Sequence, residues 1–200
     1  MPGEQQRKVL VVGCGALGRE LVALTRDLPG VDLTCLPADL HNRPERIPEA
    51  VAGRLRSRGG DYDRVFVAYA DCGTTGGIDE VCGRYGATRL AGAHCYAVYA
   101  GLAEWDALQE EEAGTFYLTD FFVRNFDSFV GRPLGLDRYP ELIGDILGNY
   151  RRVVYLAQTD DPALYERAEE CAASLGLAFE CRRTGYGRLA PSLSTFAAVA

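Results

Sequence analysis

Short apolar runs rich in β-branched residues recur at 8–13 (KVLVVG), 31–37 (VDLTCLP), 64–70 (RVFVAYA), 89–92, 115–119, 152–157 and 177–183. Between most of them the apolar positions return every three or four residues, over 16–27, 47–58, 78–85, 96–112, 138–149 and 161–175. The first kind of segment predicts strands and the second helices. Strand followed by helix, repeated along the chain, predicts an α/β fold: a mostly parallel sheet with helices on both faces, in a Rossmann-like three-layer arrangement. Such folds bind ligands beyond the carboxyl ends of their strands. A length of 200 residues suits one domain, with GRPLGLDRYP at 131–140 as the candidate loop between two sub-structures.

Charge narrows the function. A net charge of −7, with 21 Lys and Arg scattered among 28 Asp and Glu, gives no basic face with which to neutralise phosphates and argues against nucleic-acid binding. No apolar run approaches the ~18 residues of a membrane span, and no charged-then-apolar segment opens the chain. The expectation is a cytoplasmic protein with no membrane partner, whose cysteines stay reduced. There are seven of these, an odd number, so they are core filler, metal ligands or nucleophiles.

Position sorts them. Cys35 and Cys181 fall in strand patterns and Cys82 and Cys171 in helix patterns, where cysteine packs as a small hydrophobe. Cys14, Cys72 and Cys95 each follow an apolar strand and precede a helix, which places three thiols on one edge of the sheet. Helix starts offer unpaired N–H groups and partial positive charge, which lower a thiol's pKa. Three cysteines without a fourth suggest a centre with one coordination position left for another ligand. A [4Fe–4S] cluster with one open iron, or zinc with a His, water or substrate as fourth ligand, both fit. Thiols that bind no metal, including a pair of facing nucleophiles, remain the alternative.

Cys14 lies inside Gly13-Cys14-Gly15-Ala16-Leu17-Gly18, the spacing of a dinucleotide-binding turn. The ribose-binding acid should close the second strand, yet Asp32 opens it and Asp39 lies past its end. The glycines are therefore read as letting the backbone turn tightly beside whatever Cys14 holds. At the same edge, His41 is a candidate ligand or acid/base group, with Asn42 and Arg43 as anion-binding residues. His94, the second of only two histidines, abuts Cys95. Asp71 and Thr74 flank Cys72 in a turn that either caps a helix or holds a substrate anion. Gln158 and Asp160 close a later strand and are candidate ligand contacts, while Asp161 before Pro162 reads as a helix cap. Tyr186, between two glycines, is a candidate proton donor.

The motifs LPADLHNRPE, VAYADCGT, GAHCY, EEEAGTFYLTDF, LGNYRRVVYLAQTDDPAL and TGYG together resemble one family, domain of unknown function 1638, over Leu10 to Leu189. In that resemblance Cys14, Cys72 and Cys95 occupy the cysteine positions. The family's members are often encoded near corrinoid-dependent methyltransferases and their reductive activators, which implies anaerobic or one-carbon metabolism and a methyltransferase or corrinoid-protein partner. In arrangement only, the three cysteines are also similar to those of quinolinate synthase, whose open iron binds substrate. The expectation is an iron–sulfur protein acting as a Lewis acid on a small substrate, in lyase, dehydratase or desulfurising chemistry. His41, Asp71 and Tyr186 are the candidate proton carriers. The alternatives are a zinc-thiolate methyl-transfer enzyme and a non-catalytic accessory of corrinoid-dependent methyltransferases.

Overall fold

The computed structural model describes residues 7–198. Seven strands form where the apolar runs predict them: β1 Val9–Cys14, β2 Val31–Leu36, β3 Arg64–Ala68, β4 Thr88–Arg89, β5 Thr115–Thr119, β6 Arg152–Ala157 and β7 Ala178–Arg183. Every pairing is parallel. The strands divide between two sheets, ordered β2-β1-β3-β4 and β5-β6-β7, and the chain folds as two compact units, Met1–Val98 with Arg188–Ala200, and Tyr99–Gly187. The 131–140 loop lies inside the second unit.

Helices α1 Gly18–Thr25, α2 Ile47–Arg58, α3 Gly77–Tyr85 and α8 Pro162–Ser174 match their patterns. The 96–112 segment is instead two helices, α4 Cys95–Ala100 and α5 Leu102–Glu111, separated at Gly101, whose φ of 87° no helix accommodates. The 138–149 segment yields only a 3₁₀ turn at Pro140–Leu142 and a single turn of helix, α7 Ile143–Ile146. Two helices arise where no pattern marked them: α6 Asp120–Arg124, too short to show a period, and α9 Leu189–Ala198.

The first unit has helices on both faces of its sheet. Leu10 and Val12 of β1, with Val65 and Val67 of β3, pack against Ile47, Val51 and Leu55 of α2 and Ile78, Val81 and Cys82 of α3. The alternate residues point the other way, because successive side chains on a strand take opposite faces. On that side a side chain at Gly13 would collide with Leu21 of α1, and Phe66 stacks 5.0 Å from Phe196 of α9. In the second unit the central strand β6 is buried from Val153 to Ala157, and Leu164, Ala168, Cys171 and Ala172 of α8 are buried with it.

Candidate functional site

The site is built at the carboxyl edge of the first sheet. Cys14 ends β1 on the face of Leu10 and Val12. Beyond it the chain turns at once, and a side chain on Gly15 would lie 2.7 Å from the Leu36 carbonyl and 2.9 Å from the Ala38 nitrogen. Gly15 thus admits the loop that follows β2. The loop carries His41 and Asn42 in a 3₁₀ turn, Ala38–Asn42, then Arg43, all three exposed. It reaches the second cysteine as well, since a side chain at Gly73 would sit 3.7 Å from Pro44. Asp32 is far from the dinucleotide role: at the start of β2, its carboxylate accepts the Tyr62 hydroxyl at 2.7 Å.

Cys72 follows β3 in a left-handed conformation, φ 52°, which is sterically costly for any residue with a Cβ. The turn is fixed on both sides. The Asp71 amide donates to the Gly92 carbonyl at 3.0 Å and the Cys72 amide to the Ala93 carbonyl at 2.6 Å, so the segment leading to Cys95 is strapped to it. The Asp71 carboxylate accepts the Thr74 hydroxyl at 3.1 Å and the amides of Thr75 and Gly76 at 3.2 and 2.8 Å. The Gly76 amide above all, with the Thr74 hydroxyl and Thr75 amide, holds the carboxyl below its ordinary pKa. Thr74 accepts from the Ile78 amide at 3.4 Å. Asp71 and Thr74 therefore build the turn into α3, and their visible bonds are used for that.

Cys95 opens α4, with the His94 carbonyl accepting the Val98 amide. The three thiols share one electrostatic neighbourhood. Burial pushes the Cys72 thiol up to about 12, and a charge on Cys14 adds to the rise. Burial likewise raises Cys95, reinforced by Cys72 and Cys14. Cys14 is raised by burial alone, while the Ala16 amide, the Tyr69 hydroxyl and the Leu17 amide act to lower it. The N–H groups at these turns lower the thiol pKa values, as expected of helix starts, but desolvation outweighs them. Among the described residues no three His, Cys, Asp or Glu side chains are arranged as ligands of a single ion.

Two tyrosines escaped the sequence reading. Tyr69, 1% exposed, has a buried hydroxyl without a hydrogen bond of ordinary geometry, and it neighbours Cys14. The alternation Val65, Val67, Tyr69 was the available signal, since it gives Tyr69 the same face as Cys14. Tyr96 is held protonated by burial, then by Cys95 and Cys72, and its ring lies edge-on to His94 at 5.4 Å. His41 and His94 are neighbours too: partial desolvation, then the charge of His94, lowers the pKa of His41, and desolvation lowers that of His94.

Gln158, Asp160 and Tyr186 belong to the second unit. Gln158 is buried, and its side-chain oxygen accepts the Asp120 amide at 2.7 Å. Asp120, fully buried, accepts the Tyr155 hydroxyl at 2.7 Å, the Gln158 amide at 2.9 Å and the Thr159 hydroxyl at 2.6 Å, with Arg124 at 3.6 Å. Gln158 is thus part of a frame joining β5 to β6. Asp160 is exposed and pairs with Arg183 at 2.7 Å, on the rim of a pocket of about 300 Å³ lined also by Tyr155, Thr159, Tyr165 and Cys181.

A family described as protein of unknown function (DUF1638) matches residues 35–193. The chain belongs to this family. The matched span includes Cys72 and Cys95, His41, Asp71 and Tyr186, while β1 and Cys14 precede it. No curated protein and no solved structure gave a match. Among the described residues no helix is long and apolar enough to cross a membrane.

Proposed function

We propose that Cys14, Cys72 and Cys95 hold a thiophilic metal centre, and that its occupant is a [4Fe–4S] cluster with one iron open to a small substrate. The observation that carries this reading is the mutual electrostatic effect of three thiols drawn from separate turns. Three partly buried thiolates beside one another are prohibitively repulsive without a cation, whereas a bound metal reverses that penalty. Two features support a ligand at this place. Cys72 keeps a side chain where backbone geometry favours glycine, and Tyr69 presents a buried hydroxyl with no ordinary partner.

An open iron would supply Lewis acidity to a bound oxygen or sulfur. The chain's own part is the loop carrying His41, Asn42 and Arg43, which lies against the turns of both Cys14 and Cys72. Arg43 would pair with an anionic group of the substrate, and His41, neutral near pH 7 by its lowered pKa, would accept a proton. The Asp71 carboxylate accepts the Thr74 hydroxyl and the Thr75 and Gly76 amides and in this reading serves the turn beside Cys72. The reaction classes that fit are lyase, dehydratase or desulfurising chemistry. We infer a cytoplasmic setting, where thiols stay reduced; the methyltransferase or corrinoid-protein partner implied by the resemblance is to be sought by co-purification. Metal and sulfide analysis of protein purified without oxygen tests the reading. About four iron and four sulfide per chain, lost on replacing any of the three cysteines, support it; zinc alone transfers the site to thiolate–zinc chemistry.

A further inference from the structure

The three thiols are not equivalent. The register pairs Gly13 with Ala68, so Cys14 stands beside Tyr69, one residue beyond the last pair of the β1–β3 ladder and on the same face. Tyr69 cannot turn to water, being 1% exposed, and it belongs to the same buried cluster as Leu10, Val12 and Val67. Its hydroxyl meets no partner within strict hydrogen-bond geometry, and the group it acts on is the neighbouring Cys14 sulfur, whose pKa it lowers. A thiol is a weak acceptor for this hydroxyl, whereas a metal-bound thiolate is a strong one. The buried hydroxyl, placed beside the Cys14 sulfur by the register and face of the two strands, therefore has its strongest acceptor there when that sulfur binds a metal.

We propose that Tyr69 is a positioning residue for the metal centre, donating its hydroxyl to the Cys14 sulfur and thereby setting the strength of the Cys14–metal bond. This rests on the three-cysteine reading above. It makes Cys14, which also faces the Ala16 and Leu17 amides, the most heavily hydrogen-bonded thiolate of the three. Hydrogen bonds to a ligating sulfur stabilise its anionic form and fix its orientation, and their loss commonly weakens metal binding 10- to 100-fold.

Anaerobic titration with Co(II), whose thiolate complexes show a sulfur-to-metal charge-transfer band in the near ultraviolet, tests it on wild type and Tyr69→Phe. The expected result is a band in both, with Tyr69→Phe binding about tenfold more weakly and its band moved to longer wavelength, because the sulfur is more electron-rich. Metal-free Tyr69→Phe should be at least as resistant to denaturant as wild type, an outcome that a merely structural tyrosine would not give. In a Cys14→Ala background, Tyr69→Phe should leave the residual Co(II) affinity unchanged, and this arm also serves if the single variant folds poorly. Equal affinity and band position in wild type and Tyr69→Phe overturn the inference alone. A wild type without any thiolate band overturns the inference, and the metal-site reading falls with it if reconstitution with iron and sulfide also leaves the chain colourless.

Discussion

The Cys72 amide donates to the Ala93 carbonyl at 2.6 Å, two residues before Cys95. Twenty-three residues of sequence separate these cysteines, yet one backbone bond fixes the turn of one to the approach of the other. With Cys14 entering beside Tyr69, the edge of the sheet brings three distant cysteines into one neighbourhood.

Cys72 occupies φ 52°, which is easy for glycine and strained for alanine. Cys72→Gly should therefore be more stable than Cys72→Ala by about 1 kcal/mol in denaturant unfolding, although both lack the thiol. Equal stabilities would mean that the turn relaxes once the sulfur is gone.

Asp71→Ala removes an acceptor for one hydroxyl and two amides and should destabilise the fold by about 1–2 kcal/mol. The lowered pKa of Asp71 fixes the sign of its pH dependence. Its stabilisation is present above the unfolded-state pKa near 4 and is lost as pH falls through the lower folded value. The difference in unfolding free energy between wild type and Asp71→Ala should therefore narrow in acid.

The raised thiols act at the opposite end of the scale. Between pH 9 and about 12 the folded chain retains the Cys72 proton that the unfolded chain has released, so metal-free stability is complete below pH 9 and declines above it. Denaturant midpoints at pH 7.5 and 10 should show the decline, and a Cys14, Cys72, Cys95 triple alanine variant should reduce it. Metal uptake near pH 7 should release up to three protons per centre, measurable in weak buffer.

In the second unit, Asp120→Ala should cost about 3 kcal/mol or more, because it strands the buried Tyr155 hydroxyl and Gln158 amide and leaves Arg124 without its buried partner. Asp160→Ala breaks only an exposed pair with Arg183 and should change stability by less than ~1 kcal/mol.

Strand positions were readable from apolar runs because parallel strands buried on both faces carry near-continuous Val, Leu and Phe. The division into two sheets was not, since strand order depends on helix packing rather than on any strand's composition. The placement of Cys14, Cys72 and Cys95 between strand and helix was readable from the same patterns. Their protonation was not, because desolvation depends on everything packed around a sulfur. Asp71, a candidate proton carrier, and Gln158, a candidate ligand contact, were picked by sequence position alone; their hydrogen bonds with Gly76 and Asp120 depend on the folded turns and were not legible there. Tyr69 was hidden because an aromatic residue ending a strand usually signifies core.

The most direct test of the central claim is elemental and absorption analysis of the anaerobically purified and reconstituted chain beside its Cys14→Ala, Cys72→Ala and Cys95→Ala variants. The account predicts a brown wild type with about four iron and four sulfide per chain, and failure of every single variant to retain that content. A wild type that stays colourless and metal-free after reconstitution with iron and sulfide, or three variants that load as well as wild type, would contradict it.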